Sequence, residues 1–413
     1  PLYKLLFRMP QFTRMQVRAW LPRTEGVAWE QVLAEPSSYR AEFFPLRGTA
    51  VRVVKRELAG RVRELFEFGH YYEVELALDE GHSAIVFSRE VPEAWLRAGG
   101  KISEPAGAEA LFLKTGDPEA TPKLLYFVAE RLGWYPATAG SLKSVTDTEV
   151  YLAGLGMDVS LFDQVRGHNR RGVSAAEREC FYSLMAATAR AEQPEIEARA
   201  EHPSDLAPML VSPEKQHGKL VNVHGNARRI TKVPVSDPDI QARFGIDHYY
   251  QIDVFVPLGD QAIRLVDPDG SPGPSFENTF PVTCCVLRLP EGMTAEALED
   301  EDLRVRGFYF KLWSYRTEFA RQFDRDQLSP MVIGIVPEVV PPNPGIGAQL
   351  GLAFGALFVL AILGAWYGIW RYNREDREFK RSTLAKQFEV QPGKSLDDAG
   401  IEASDGPDFS NLP

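Results

Sequence analysis

Cysteine is scarce in this sequence. Its 413 residues include three cysteines, Cys180, Cys284 and Cys285. No Cys-x-x-Cys spacing occurs, which argues against a zinc knuckle and against a thioredoxin-type redox site. Cys284 and Cys285 are adjacent, so in a strand their side chains point to opposite faces and cannot bridge each other. We interpret both as small apolar residues of a buried strand.

Motifs of known catalytic chemistry are also missing. The sequence has no Gly-x-Ser-x-Gly elbow, no His-Glu-x-x-His pair, no phosphate-binding Gly-x-x-x-x-Gly-Lys and no Gly-x-Gly-x-x-Gly that opens a helix. The seven histidines show no close spacing to carboxylates that would build a metal or acid–base site. We therefore expect a protein that is not an enzyme, with no cofactor, no metal and no catalytic residue.

Basic residues are outnumbered by acidic ones. The chain has 46 Lys and Arg against 57 Asp and Glu, a formal net charge of −11. Affinity for DNA or RNA rests largely on neutralising phosphates. The excess of acid therefore predicts that nucleic acid is not a partner.

One long hydrophobic run stands out. Leu350 to Trp370 is a stretch of 21 residues without a charge, and a bilayer core needs about 20 helical residues. A proline-rich spacer (341–349) precedes it, and Trp366 and Tyr367 are placed for the interfacial aromatic belt. We predict a transmembrane helix over 350–370, with the lipid bilayer as its partner.

The residues after this run predict its orientation. They form a basic cluster: Arg371, Arg374, Arg377, Lys380 and Arg381. By the positive-inside rule this cluster stays in the cytoplasm. We expect a single-pass protein of the cell membrane with a cytoplasmic tail (371–413) and an extracytoplasmic body. The sequence shows no signal peptide or earlier membrane helix, so a cytosolic body on a long tail anchor is the alternative.

Glycines recur at every fourth residue around the span. They form two series: Gly347, Gly351 and Gly355, then Gly364 and Gly368. Small residues at this spacing let two membrane helices approach closely. We predict that the anchor pairs with itself, giving a homo-oligomer, or with other membrane or envelope proteins. The alternative is that glycine is simply common in membrane helices.

The body contains an internal repeat. The stretch FGHYYEVEL (68–76) recurs as FGIDHYYQIDV (244–254). Flanking matches extend it: Gly48–Val53 with Gly218–Val223, Val91–Glu93 with Leu289–Glu291, Leu111–Lys114 with Tyr309–Lys311, and Pro122–Tyr126 with Pro330–Gly334. Two copies of one domain in series explain these matches.

Each copy is predicted to be mostly strand. In copy two the candidate strands, rich in β-branched and aromatic residues, are 219–233, 248–256, 280–289, 304–316 and 330–336. Five strands of this length favour a small closed barrel of the OB type, with a sandwich as the alternative. The predicted fold class is mainly β: two tandem OB-like barrels with a helical insert and one C-terminal transmembrane helix.

The predicted domains follow from these elements. They are a lead-in segment (1–45), barrel repeat 1 (46–136), a helical insert (137–205), barrel repeat 2 (206–340), the spacer (341–349), the membrane helix (350–370) and the tail (371–413). The insert is predicted to hold helices at 158–166 and 175–200, the second begun by a capping box of Ser174 and Glu177. The basic loop 166–171 is interpreted as solvated, with an anionic contact as the alternative.

One strand of copy two invites a ligand. If 308–315 is a regular strand, one face carries four residues: Tyr309, Lys311, Trp313 and Tyr315. An aromatic row with a lysine is typical of platforms that stack sugars or single-stranded nucleic acid. Copy one lacks this row. The alternative is that the row packs against copy one, the insert helix or another subunit.

Several stretches carry a resemblance. They are VRGFYFKLWSY (305–315), SPM (329–331), ERECFY (177–182) and PDF (407–409). With them the chain resembles uncharacterised single-pass membrane proteins of planctomycete-type bacteria that have duplicated OB-like barrels. The resemblance covers most of the chain and implies an architecture, without catalytic residues.

Two classes of function fit this sequence. The first is a non-enzymatic envelope protein, a scaffold or assembly subunit that uses the barrels as interaction modules and the helix for docking. The second is an anchored receptor that binds a polysaccharide, peptide or single-stranded nucleic acid on the aromatic strand face of copy two.

Overall fold

The computed structural model describes residues 1–79, 81–142, 144–266, 272–295, 301–317, 326–341 and 346–387. The chain forms two units, 1–341 and 342–413, and each is described by itself. The first unit is mainly β and contains two six-stranded sheets. The second contains a long apolar helix.

Three short helices open the first unit: α1 (Leu2–Arg8), α2 (Arg14–Trp20) and α3 (Trp29–Ala34). A capping box starts α2, because the Thr13 hydroxyl accepts from the Gln16 N–H and the Gln16 amide oxygen accepts from the Thr13 N–H. The helices bury Leu6 and Val17 in an apolar cluster with Phe43 on the outside of the first barrel. The predicted lead-in segment thus covers this barrel.

Barrel 1 is a closed ring of strands. Its elements are β1 (Phe43–Glu57), α4 (Gly60–Phe66), β2 (His70–Ala77), β3 (His82–Glu90), α5 (Glu93–Arg97), β4 (Lys101–Thr115), β5 (Lys123–Arg131) and β6 (Gly133–Trp134). The strands follow the order β1-β2-β3-β5-β4, and β4 pairs back with β1. Only the β3–β5 pair of this described sheet is parallel, and the short β6 extends the sheet beside β4.

The insert follows barrel 1. Its helices are α6 (Asp147–Gly154), α7 (Phe162–Arg166), α8 (Arg178–Arg190), α9 (Gln193–Arg199) and α10 (Ala207–Val211). The predicted capping box of Ser174 and Glu177 is confirmed. The predicted single helix over 175–200 is wrong, because Pro194 occupies the first turn of α9 and a proline cannot continue the preceding helix.

The basic loop 166–171 is tied to the second barrel. The Arg170 N–H donates to the Leu312 carbonyl at 2.6 Å, and the Ser314 N–H donates to the Arg171 carbonyl at 3.2 Å. These bonds continue the sheet onto the loop. The side chains of Arg170 and Arg171 are exposed, which agrees with the interpretation of a solvated loop, although its backbone pairs with a strand edge.

Barrel 2 repeats the topology of barrel 1. Its elements are β7 (Leu220–Pro234), α11 (Pro238–Phe244), β8 (His248–Pro257), β9 (Ile263–Val266), β10 (Pro272–Phe276), β11 (Thr279–Val286), β12 (Glu301–Tyr315), β13 (Gln327–Gly334) and β14 (Glu338–Val339). The ring follows the order β7-β8-β11-β13-β12 and closes through β12 and β7. The β11–β13 pair is parallel, as is β3–β5. The hairpin of β9 and β10 is an addition that the sequence analysis missed.

The register of the strands corrects the repeat in two places. A bulge separates Ala50 from Arg52 in β1, and an equivalent bulge separates Ala227 from Arg229 in β7. The matching pattern is therefore Gly-x-Ala-x-Arg at 48–52 and 225–229. The predicted match of Gly48 with Gly218 is displaced by seven residues, because it aligned the valines that follow each glycine. Tyr126 and Met331 have equivalent partners on the neighbouring strands, so they are matching positions of the two barrels. The predicted match of Pro122 with Pro330 is therefore displaced by three residues.

The two matched glycines have one physical role. A Cβ at Gly48 would overlap the carbonyl oxygen of Ala77, and a Cβ at Gly225 would overlap that of Phe255. Each position therefore brings two backbones closer than any side chain allows. This shared constraint identifies the repeat better than the neighbouring valines do.

One continuous apolar core connects the parts of the first unit. It joins Phe44 and Phe127 of barrel 1, Cys180 and Phe181 of α8, and Phe310 on the outside of barrel 2. Phe181 and Phe310 meet edge to face, with ring centroids 5.5 Å apart. The interior of barrel 2 forms a separate cluster. The insert therefore joins the barrels as a packed wedge.

The second unit contains α12 (Ile346–Gln387). Its segment Gly351–Tyr372 is 22 residues long and apolar enough to cross a membrane, and its side chains are exposed. The helix runs beyond the predicted end at Trp370 because residues 371–387 contain no glycine or proline. Residues 342–345 of the predicted spacer and 388–413 of the predicted tail lie outside the described residues.

The predicted basic and glycine positions lie along this helix. The basic cluster of Arg371, Arg374, Arg377, Lys380 and Arg381 continues α12, and the Arg374 guanidinium lies 5.6 Å from the Trp370 ring centre. Gly351, Gly355, Gly364 and Gly368 have open space where a Cβ would stand. For Gly347 the structure gives only its place in the helix.

Candidate ligand-binding face of barrel 2

A β-bulge divides the predicted aromatic row on β12. The pairing of β12 with β13 shifts register between Tyr309 and Lys311, so Phe310 is the extra residue. Tyr309 joins the interior of barrel 2, whereas Phe310 packs in the core shared with the insert. Tyr309, Lys311, Trp313 and Tyr315 therefore do not share one face. The prediction is corrected on this point, because it assumed an uninterrupted strand.

The first two residues of the row are internal. Tyr309 and Lys311 are both 0% exposed. The Tyr309 hydroxyl donates to the Met209 carbonyl at 3.2 Å, and the Lys311 Nζ lies 2.6 Å from Glu177 Oε1. Burial lowers the pKa of Lys311, against the raising effect of Glu177. These two side chains fasten barrel 2 to the insert, which is the alternative stated for the row, and neither is open to a ligand.

The last two residues of the row form a half-buried aromatic pair. The rings of Trp313 and Tyr315 stack with centroids 4.5 Å apart and planes 17° apart. The indole N–H of Trp313 donates to the Thr283 hydroxyl at 3.2 Å. Burial, helped by the charge of Asp253, raises the pKa of Tyr315 to about 12. The pair is thus held in place and stays neutral, as a stacking surface requires.

Cationic side chains lie on the neighbouring strands. Arg229 forms an ion pair with Asp253, with Nη2 to Oδ2 at 2.7 Å and Nε to Oδ2 at 2.9 Å. The Arg228 guanidinium lies 4.3 Å from the Phe255 ring centre. Both arginines are exposed, as is Lys232. The bulge after Ala227 places the two arginines side by side on the outside of barrel 2.

The aromatic pair and the cations are parts of one surface. Asp253 faces Thr283 across the β8–β11 pair, and the Thr283 hydroxyl also contacts Ser329 at 3.0 Å. The Trp313 indole N–H donates to the same Thr283, so the aromatic pair adjoins the strand that carries Asp253. We call the surface of Arg228, Arg229, Asp253, Phe255, Thr283, Trp313 and Tyr315 the outer face of barrel 2.

The sequence analysis missed the cationic half of this face. The repeat contained the signal, since Arg52 pairs with Glu75 at 3.1 Å in barrel 1 just as Arg229 pairs with Asp253 in barrel 2. Aligning the valines hid this match. Among the described residues no group of three or more His, Cys, Asp or Glu could hold a metal ion.

Comparison with known proteins gives a likeness to solved structures alone. No protein-family model and no curated protein matches this sequence. The single-stranded DNA-binding protein of Thermus aquaticus is 12% identical, with 73% of this chain and 93% of that chain covered at a TM-score of 0.17. The small single-stranded DNA-binding protein of Streptomyces coelicolor is 14% identical, with 30% and 93% covered at 0.16. The N-terminal domain of PriB from Thermoanaerobacter tencongensis is 18% identical, with 30% and 96% covered at 0.15.

These descriptions contradict the expectation that excluded nucleic acid as a partner. Two of the three matched proteins are single-stranded DNA-binding proteins by description, and the expectation is withdrawn. It rested on the net charge of the whole chain, which says nothing about how charge is distributed over a face. All three TM-scores are far below 0.5, so the likeness by itself identifies no ligand for this chain.

Proposed function

We propose that this chain is a membrane-anchored receptor for single-stranded nucleic acid, without catalytic activity, and that the outer face of barrel 2 is its binding surface. One observation carries the proposal: the stacked pair of Trp313 and Tyr315 lies on the same surface as the exposed Arg228 and Arg229. Proteins that bind single strands combine aromatic stacking with a cationic track for the backbone.

The strand order supports an OB-type assignment for both barrels. Each ring has five main strands in the order 1-2-3-5-4-1, with strands 3 and 5 parallel. A five-stranded Greek-key barrel of this kind holds oligonucleotides or oligosaccharides on one strand face. In barrel 1 the outside is occupied by the N-terminal helices. In barrel 2 the aromatic pair lies on the outside and is half-buried, with Trp313 packed at the border of the core shared with α8.

The anchor bears on the compartment in which such a receptor would work. The span 351–372 fixes the chain in a bilayer, and the basic residues after it favour a cytoplasmic C-terminus by the positive-inside rule. We propose on this basis an extracytoplasmic body, with the outer face of barrel 2 open to ligands beyond the membrane.

Replacing Trp313 with Ala tests the receptor proposal. The full chain in lipid nanodiscs is titrated with a fluorescent single-stranded oligonucleotide, and binding is read by anisotropy. Loss of one stacking ring costs about 1–3 kcal/mol, or roughly 5- to 150-fold in Kd. Arg229→Gln should weaken binding and reduce its dependence on salt.

A matched control comes from barrel 1. Arg52 occupies the position equivalent to Arg229 and forms the equivalent ion pair, so Arg52→Gln should leave oligonucleotide affinity unchanged. Melting temperatures of all variants separate binding from folding. The proposal is overturned if the parent chain binds no oligonucleotide, or if an oligosaccharide binds instead with the same sensitivity to Trp313→Ala.

The scaffold role stays a second candidate because of the anchor. Gly355 and Gly364 stand in open space on α12. Gly351 and Gly364 are 13 residues apart, which is roughly 220° around a helix of 3.6 residues per turn. The two glycine pairs therefore lie on nearly opposite faces and would meet two different helices.

Substitution within the anchor tests this second role. Gly355→Ile and Gly364→Ile should each lower energy transfer between labelled chains in bilayers, because the added side chain keeps the helices apart. Ala356→Ile, which lies about midway between the two glycine faces, is the control for bulk alone. Unchanged transfer in both glycine variants would count against pairing through these faces.

A further inference from the structure

A polar cleft lies on the outside of barrel 1. It has a volume of about 180 Å³ and is lined by residues of α2, β1, β4, β6, α8 and α11. Five arginines and three carboxylates are among its lining residues. The cleft contains none of the residues of the outer face of barrel 2.

Three of the five arginines are neutralised by neighbours. Arg131 lies 2.8 Å from Asp158. The Arg243 guanidinium donates to both carboxylate oxygens of Glu179, at 2.6 and 2.7 Å. Asp158 is itself saturated, because it also accepts from the Trp134 N–H and from Ser160. These ion pairs form fixed walls.

Arg14, on the N-terminal helix α2, is the third of these paired arginines. It reaches Glu109 at 3.4 Å and Glu130 at 3.3 Å. Both distances are long for charge-assisted bonds, so Arg14 keeps donor capacity for a ligand.

The other two arginines have no acidic partner. Within the part of the chain that the structure describes, no carboxylate oxygen lies within 4 Å of Arg18 or Arg47. Arg47 instead donates to the Leu46 carbonyl at 3.4 Å and lies 5.1 Å above the Tyr135 ring. Both are exposed, and each leaves its guanidinium group without an ion pair in the described part of the chain.

Two glycines leave room for charged side chains that line the cleft. A Cβ at Gly107 would overlap the Nη1 atom of Arg47, and a Cβ at Gly133 would come within 2.9 Å of Asp158 Oδ2. Neither glycine has the left-handed backbone that would by itself require it. Gly107 therefore leaves room for the Arg47 guanidinium group, and Gly133 leaves room for the Asp158 carboxylate.

We infer that this cleft binds a small oxyanion, a phosphate or carboxylate group, through Arg47 and Arg18 with help from Arg14. Guanidinium groups match the paired oxygens of both groups and bind them through two parallel N–H···O bonds. A volume of about 180 Å³ admits a compact metabolite and no polymer segment with its bases. The inference is independent of the receptor proposal.

Calorimetric titration of the full chain tests the inference, with inorganic phosphate in one arm and succinate in the other. Arg47→Gln should weaken binding of the preferred anion at least about tenfold, the scale of one lost charge-assisted bond. Gly107→Ala should weaken it as well, because the new methyl group displaces Arg47. Arg52→Gln lies on the same strand outside the cleft and should leave binding unchanged.

The outcomes separate the two sites. Binding of phosphate or of succinate with loss in Arg47→Gln supports the inference and identifies the group. Absence of heat for both anions at millimolar concentration overturns it, as does binding that Arg47→Gln and Gly107→Ala leave intact. Trp313→Ala should not alter anion binding, and Arg47→Gln should not alter oligonucleotide binding, so failure of one proposal is distinguishable from failure of the other.

Discussion

Replacing Lys311 with Met should lower the free energy of unfolding by about 3–5 kcal/mol, because one partner of a fully buried ion pair is removed. Lys311 and Glu177 are both 0% exposed, and their charged atoms are 2.6 Å apart. Met keeps the length of the side chain and leaves the carboxylate without its cation. Denaturant unfolding of the full chain, followed by tryptophan fluorescence, measures the loss.

The repeat supplies a matched control for this variant. Lys114 occupies the equivalent position in barrel 1, directly after the equivalent bulge. It is exposed and lies 5.0 Å from the Tyr126 ring centre, a contact worth about 0.5–1 kcal/mol. Lys114→Met should therefore cost far less than Lys311→Met.

A double variant completes the test of the ion pair. Glu177→Gln keeps the capping bond from the Ser174 N–H, which is 2.7 Å long, and removes the negative charge. Lys311→Met combined with Glu177→Gln should recover much of the lost stability, since no ion is then left alone. If the double variant loses as much stability as the two single variants together, the two charges do not interact.

The strands and the duplication were accessible from sequence because strand formers, breakers and the repeat agree with one another. The His-Tyr-Tyr pattern that begins β2 and β8 is local, and so are the strand-forming residues that follow it. The capping box at Ser174 is equally local. Local signals were not all read correctly, because Pro194 divides the predicted helix 175–200 into α8 and α9.

The candidate site was predicted poorly for a physical reason. Alternation along β12 breaks at Phe310, and the place of an extra residue depends on the partner strand and on what packs against it. The ion pair of Lys311 and Glu177 joins positions 134 residues apart in sequence. Neither feature has a local signature. The cationic face was missed because one glycine position was aligned by similarity of side chains, whereas its role is a close approach of two backbones.

Acidification should destabilise the first unit through His217. Burial lowers the pKa of His217 to about 4 from an ordinary 6.5, and the charges of Arg166 and Lys311 act in the same direction against Glu214. The unfolded chain binds a proton at this histidine between these values and the folded chain does not. Stability is therefore full above pH 6.5 and falls as the pH drops toward 4, by about 3 kcal/mol.

The hydrogen bond with Asn169 opposes protonation of the ring, whereas the bond to the Phe310 carbonyl raises the pKa of His217. Its Nδ1–H donates to the Phe310 carbonyl at 2.5 Å, and its Nε2 lies 3.0 Å from the Asn169 amide nitrogen. The orientation of Asn169 is fixed, because its amide oxygen accepts from the Leu312 N–H at 3.0 Å. Its nitrogen must therefore donate to Nε2. A proton on Nε2 would set two donors against each other.

His217→Asn tests this source of acid sensitivity. Asn retains a donor for the Phe310 carbonyl but does not titrate, so the variant should be less stable at pH 7 and should lose stability less steeply between pH 6.5 and 4. His202 is exposed, and His202→Asn should keep the slope of the parent chain. Equal slopes in the parent chain and His217→Asn would assign the acid sensitivity to other groups. Because His217 contacts both the loop at Asn169 and the bulge at Phe310, hydrogen exchange at low pH should rise first where the insert joins β12.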